Sequence, residues 1–188
     1  HAWVEAWVDG TWYFLGACEP EPVLNLGWFN APASRGMLMH TRAFGAYDGP
    51  EEVVSKTRCY TEINVTANYA PVSTLVVKTV DEKGNALPAR VDFRLYNYAE
   101  FYSLVNKQTN ADGFTSLQCG RGDLLVWASV AGKFGYSKAS VGKEDTVTVV
   151  IDKDEHYTAT VDFDLMPPVE RNTLHDLTEE HVRVNKER

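Results

Sequence analysis

The chain has 188 residues, 44% hydrophobic and 23% charged, a balance that excludes an intrinsically disordered polymer. No apolar run approaches the length that spans a bilayer, and 18 Lys plus Arg against 26 Asp plus Glu leaves a net charge of −8 and no broad basic footprint for nucleic acid. The three cysteines, Cys18, Cys59 and Cys119, form no C-x-x-C pair, so neither a zinc site nor a disulfide framework is signalled, and no cofactor is expected.

The first twenty residues, HAWVEAWVDGTWYFLGACEP, alternate apolar and polar positions around Asp9-Gly10, a dipeptide that suits a tight hairpin because both positions tolerate positive φ. With Asp9 and Gly10 as the loop, cross-strand partners have numbers summing to 19, which sets Val8 opposite Thr11 and His1 opposite Cys18. Period two then gives Ala2, Val4, Ala6, Val8, Tyr13, Leu15 and Ala17 one face, expected to pack. The other carries His1, Trp3, Glu5, Trp7, Trp12, Phe14, Gly16 and Cys18, and concentrates the chemistry.

His1, Trp3 and Glu5 read H-x-W-x-E, and Gly10 and Trp12 read G-x-W. In this spacing the chain resembles the His-bearing hairpin of the transglutaminase-like superfamily, papain-type Cys-His-Asp enzymes. The resemblance implies that His1 is the general base for a thiol and that Trp3, Glu5, Trp12, Cys18 and His40 line its cleft. The family's Asp falls on Gly16, so Glu19 is the expected substitute, brought back towards His1 by a bulge near Gly16-Ala17. None of the three cysteines is expected at a helix N-terminus, where a dipole would activate a thiolate. The nucleophile would then belong to an upstream Cys-bearing half of the same protein, from which a chain opening on His rather than Met would have been processed or excised.

Between Glu21 and Glu52, Pro22, Gly27, Pro32 and Gly36 break any long element. Trp28 and Phe29 are expected to anchor this loop on the hairpin, Met37 to Phe44 to form a third strand carrying His40, and Gly45 to Glu52 to turn. Residues Cys59 to Asp81 are β-rich with a break at Ala70-Pro71, where a domain boundary is placed. Asn64-Val65-Thr66 has the form of an N-glycosylation acceptor, but in a strand it is taken as chance.

From Ser73 short strands alternate with turns, the signature of a β-sandwich of immunoglobulin or prealbumin type. Strands are expected at Leu75–Val80, Arg90–Tyr98, Phe114–Leu117, Leu124–Val130, Thr146–Ile151 and His156–Leu165. Val80-Asp81 with Gly84, Ala89 with Val91, and Thr109 with Gly113 resemble the loose signature of carboxypeptidase-regulatory-like modules. The fold expected is therefore mainly β: residues 1–70 an antiparallel sheet fragment of a transglutaminase-like core, 71–168 the sandwich, and 169–188 a charged tail or short helix starting near Thr173. His175 and His181 are six apart, off the spacing of a helical metal site.

Tyr96, Tyr98, Phe101 and Tyr102 form an aromatic cluster that could stack on sugars or cover one end of the sandwich. Arg121-Gly122-Asp123 is read as a plain turn. The leading functional expectation is a fragment of a thiol hydrolase or acyltransferase acting on a peptide or cell-surface polymer, inactive without its Cys-bearing half. The other reading is a non-catalytic glycan- or protein-binding module with a decayed hairpin. Export to the periplasm or cell surface is expected, with no nucleic-acid partner and no membrane span.

Overall fold

The computed structural model describes residues 3–15, 21–97 and 99–154. His1, Cys18, Glu19, Tyr98, the strand expected at 156–165 and the tail helix all lie outside them. The first pair of strands, β1 (Val4–Val8) and β2 (Thr11–Leu15), is antiparallel in the expected register, from Val4 opposite Leu15 to Val8 opposite Thr11. Asp9 and Gly10 close it with φ of 49° and 80°, the left-handed pair that a two-residue hairpin loop demands.

A one-turn helix α1 (Asn30–Ala33) interrupts the long connection to β3 (His40–Phe44), which starts three residues later than the sequence suggested. β3 pairs with β5 (Tyr60–Asn64), and β5 in turn pairs with β4 (Val53–Lys56), making a three-stranded antiparallel sheet. A 3-10 turn, Thr66–Asn68, precedes Ala70-Pro71 and leads to β6 (Val72–Val80).

β6 begins the sandwich, followed by β7 (Arg90–Asn97), β8 (Glu100–Gln108), β9 (Phe114–Gly120), β10 (Gly122–Val130), β11 (Lys133–Val141), β12 (Thr146–Val150) and β13 (Lys153–Asp154). One sheet runs β12-β6-β9 and the other β13-β11-β10-β7-β8; β12 lies parallel to β6 and the other sandwich pairs are antiparallel. Their inner faces meet through Leu75, Val77, Val91, Phe93, Leu117, Val126 and Val149, all fully buried, as period-two patterning requires. Each such side chain contributes about 1.5–3 kcal/mol by leaving water.

Polar groups inside the sandwich are satisfied. The Thr79 hydroxyl donates to the Leu87 carbonyl at 2.6 Å, and the Ala89 amide donates to the Thr109 hydroxyl at 2.8 Å. The open edge of β9 is covered by side chains: Lys107 donates to the Ser116 carbonyl at 2.7 Å, Asn64 donates to the Gln118 carbonyl at 2.6 Å, and the Gln118 amide donates to Glu52 at 3.2 Å. Glu52 also accepts from Lys107 and from Asn64. Asn64 is buried with its carboxamide occupied, so it offers nothing to a glycosylating enzyme in the folded chain. Cys119 is buried beside this network, which with burial as the larger cause pushes its thiol up to about 11. Cys119 is inert there, and Cys59 is exposed and free.

Candidate functional site

The hairpin packs through the Trp3 and Phe14 end of its chemistry-rich face, while Trp7 on that face is 55% exposed. Val4 and Val8, assigned to packing, are 46% and 49% exposed, whereas Phe14, on the chemistry-rich face, is buried. The reason is what the following loop presents. Phe29, at the start of α1, is buried and stacks on Trp3 at 4.1 Å with ring planes 8° apart; it also meets Phe14 at 5.4 Å. Tyr69 closes the group, 5.1 Å from Phe14 and edge-on to Trp3 at 5.5 Å. Phe29 thus anchors the loop as expected, while Trp28 stays half-exposed and meets Phe29 edge-on. Such aromatic pairs add about 0.5–1.5 kcal/mol each beyond their buried area.

Polar tips are tied within the same cluster. The Trp3 indole N–H donates to the Tyr69 hydroxyl at 2.8 Å, and that hydroxyl donates to Glu5 Oε1. Glu5 Oε2 is buried with no hydrogen-bond partner. Burial raises the Glu5 carboxyl above its ordinary range; the Tyr69 bond opposes this and the nearby Glu51 charge adds to it. Burial and Glu5 together push the Tyr69 phenol far above its ordinary value, so it remains a donor. A second tie joins Trp12, whose indole N–H donates to Glu51 Oε1 at 2.9 Å, while Tyr47 donates to Glu51 Oε2. Burial would raise Glu51 too, but the donors from Tyr47 and Trp12 outweigh it and hold this carboxyl below the usual value.

Two hollows flank Glu5. One, of about 360 Å³, lies between Trp12, Tyr69 and the amide side chains of Asn25, Asn30 and Asn68. The other, of about 660 Å³, is lined by Trp3, Glu5, Met39, His40, Arg42 and Phe44. Trp3, Glu5 and Trp12 are therefore brought into one aromatic and carboxylate cluster, and His40 reaches the wall of the larger hollow. His40 also stands 3.8 Å from Glu62, whose carboxyl is held down first by the Ser55 hydroxyl, against burial, and then by Arg42 and His40. Tyr96, Phe101 and Tyr102 are elsewhere, on the β7–β8 hairpin, exposed by 62%, 53% and 45%. Among the described residues no three acidic, His or Cys side chains gather as a metal site.

Tyr69, Tyr47, Glu51 and Asn25 had no signal as motif members. The hint available was local: Tyr47 and Glu51 bracket the Asp48-Gly49-Pro50 turn, and Tyr69 precedes the Ala70-Pro71 break.

No family model matches the chain, and no curated protein matches it. A streptococcal ancillary pilin resembles it in part, with 14% identity over 63% of this chain and 43% of that one and a TM-score of 0.38. The major pilin subunit of Bacillus cereus does so with 10% identity over 50% of this chain and 32% of that one, TM-score 0.32. The chain spans less than half the length of either, and both scores lie below 0.5, too low to fix fold or activity. The expected resemblances to transglutaminase-like enzymes and to carboxypeptidase-regulatory-like modules are corrected by these comparisons, since no model of either family matches the chain. The motif residues have other employment: Trp3, Glu5 and Trp12 hold the hairpin to its support, and Asp81 with Gly84 builds a turn in which the Asp81 carboxylate accepts from the Lys83 and Asn85 amides. What the chain presents is a β-sandwich carrying a small aromatic-packed hairpin layer.

Proposed function

We propose that the chain is a non-catalytic β-sandwich module of a bacterial surface protein, binding a cell-surface polymer or protein through the aromatic tip of its β7–β8 hairpin. The observation that carries this reading is the exposure of Tyr96 near the end of β7 and of Phe101 and Tyr102 near the start of β8. Asn97 stands opposite Glu100, and Ala99 takes φ of 61° to close the loop. Tyr96 and Phe101 face each other at 5.1 Å, a pair that gains little from water exposure and much from a partner. The surface setting is part of the proposal, and the pilin likeness adds no weight to it.

The test is a glycan array together with pull-downs on cell-wall fragments. Saturable binding by the wild-type chain that is lost in Tyr96→Ala and Phe101→Ala, both on an exposed tip, supports the reading. Binding that both variants retain, or no binding to any fragment, contradicts it.

A further inference from the structure

The geometry points to a second binding site: the hollow of about 360 Å³ beside the first hairpin accepts a single neutral pyranose ring, such as a chain end or side branch of a polysaccharide. This site does not rest on the reading of the β7–β8 tip, with which it shares no residue.

Its size is at the lower end of small-molecule sites and suits one ring rather than a polymer segment. Its walls pair aromatic faces with neutral amides, as a sugar requires: C–H faces meet rings, and hydroxyls meet groups that both donate and accept. Trp12 of β2 and Tyr69, just after the Thr66–Asn68 turn, supply rings. Opposite, Asn25 spends its side-chain oxygen on the Phe14 amide at 3.0 Å, and Asn30 accepts from the Gly27 amide at 2.7 Å and donates to the Asn25 carbonyl at 3.1 Å. These bonds fix the loop before any ligand arrives, so little ordering cost remains for binding.

Donors and acceptors are left over. The Asn25 NH2 and the whole Asn68 carboxamide make no hydrogen bond among the described residues. Glu5, which lines the hollow, has its Oε2 buried and unpartnered. No Lys, Arg or His lines the hollow, so nothing there would balance a uronate, sulfate or phosphate. The Glu51 carboxylate nearby would repel such groups as well, which narrows the ligand to uncharged sugars.

The experiment follows the five indole N–H signals of the intact chain by two-dimensional NMR while cellotetraose, maltotetraose and mannotetraose are added, with tri-galacturonate as the anionic probe. Saturable shifts at Trp12 with at least one neutral sugar, and none with galacturonate, are expected. Asn68 is exposed and makes no side-chain bond, so Asn68→Ala keeps the fold and should weaken that binding about tenfold, the cost of about one hydrogen bond; Asn68→Leu, which fills the mouth, should abolish it. The double variant Tyr96→Ala, Phe101→Ala should leave it unchanged. The inference is overturned if no neutral sugar moves Trp12, if galacturonate binds as well, if Asn68→Ala binds like wild type, or if the Tyr96 and Phe101 double variant removes the shifts.

Discussion

The sandwich and the first hairpin bury their side chains by different means. Between the two sheets, apolar residues alternate inward along β6, β7, β10 and β12, and the inward polar group of Thr79 is paired with the backbone. In the hairpin layer, Phe14 with Phe29 and Ala33 from the following loop are buried together among the described residues, and Trp3, Met39 and Tyr69 pack against them from partly exposed positions. Two strands alone cannot stabilise themselves in water, so this layer depends on rings and on polar ties at their tips. The lesson is that a pattern rich in Trp, Glu and Tyr can be the packing itself.

The largest expected effect tests the sandwich. Phe93→Ala removes a fully buried ring at its centre and should cost about 3–5 kcal/mol, read as a lowered denaturation midpoint in urea. Phe29→Ala should act differently: amide exchange should rise sharply over Val4–Leu15 while amides of β10 keep their protection, because only the hairpin layer loses its anchor. Equal loss of protection in both regions would show that the two are one cooperative unit.

Gly135→Ala comes next. A Cβ there would stand 1.8 Å from the Val150 carbonyl oxygen, so β11 and β12 would have to separate, at a cost of about 1–3 kcal/mol in unfolding measurements. The smallest effect is electrostatic and confined to the hairpin. The Glu5 carboxyl titrates above its unfolded value, so its contribution to stability is present below the ordinary carboxylate range and is lost as pH rises through the raised value. Hairpin protection should therefore strengthen from neutral towards mildly acidic pH, and Glu5→Gln should flatten that dependence. Glu51 has the opposite sign, its contribution lost only as pH falls through its lowered value, so the two are separable by their pH windows.

Much of this architecture could be read in the residues. Asp9-Gly10 set the hairpin and its register, and the alternation in Leu124 to Val130 and Thr146 to Ile151 marked inward strands. Strands β4, β8, β11 and the two-residue β13 escaped notice, the first three for physical reasons. β11 keeps Gly135 and Ala139 on its inward face because β12 passes close, so the apolar alternation that marks a strand is muted. β8 is an edge strand with most side chains in water, and its turn is closed by Ala99 rather than by Gly or Asn. β4 is short and hidden among charged neighbours. At the site, period-two spacing puts Trp3, Glu5 and Trp12 on one face, but Tyr69 and Glu51, which hold them, are 64 and 39 residues from their partners Glu5 and Trp12, and no local pattern connects them.

The most direct test of the account sets its two regions against each other on one immobilised cell-wall preparation, comparing wild type, Val8→Thr on the exposed face of the first hairpin, and the Tyr96→Ala, Phe101→Ala double variant. Retention of full binding by Val8→Thr, and loss of most of it in the double variant with only the weak single-ring binding of the hollow left, is the predicted result. Loss of binding in Val8→Thr with the double variant unaffected would contradict it.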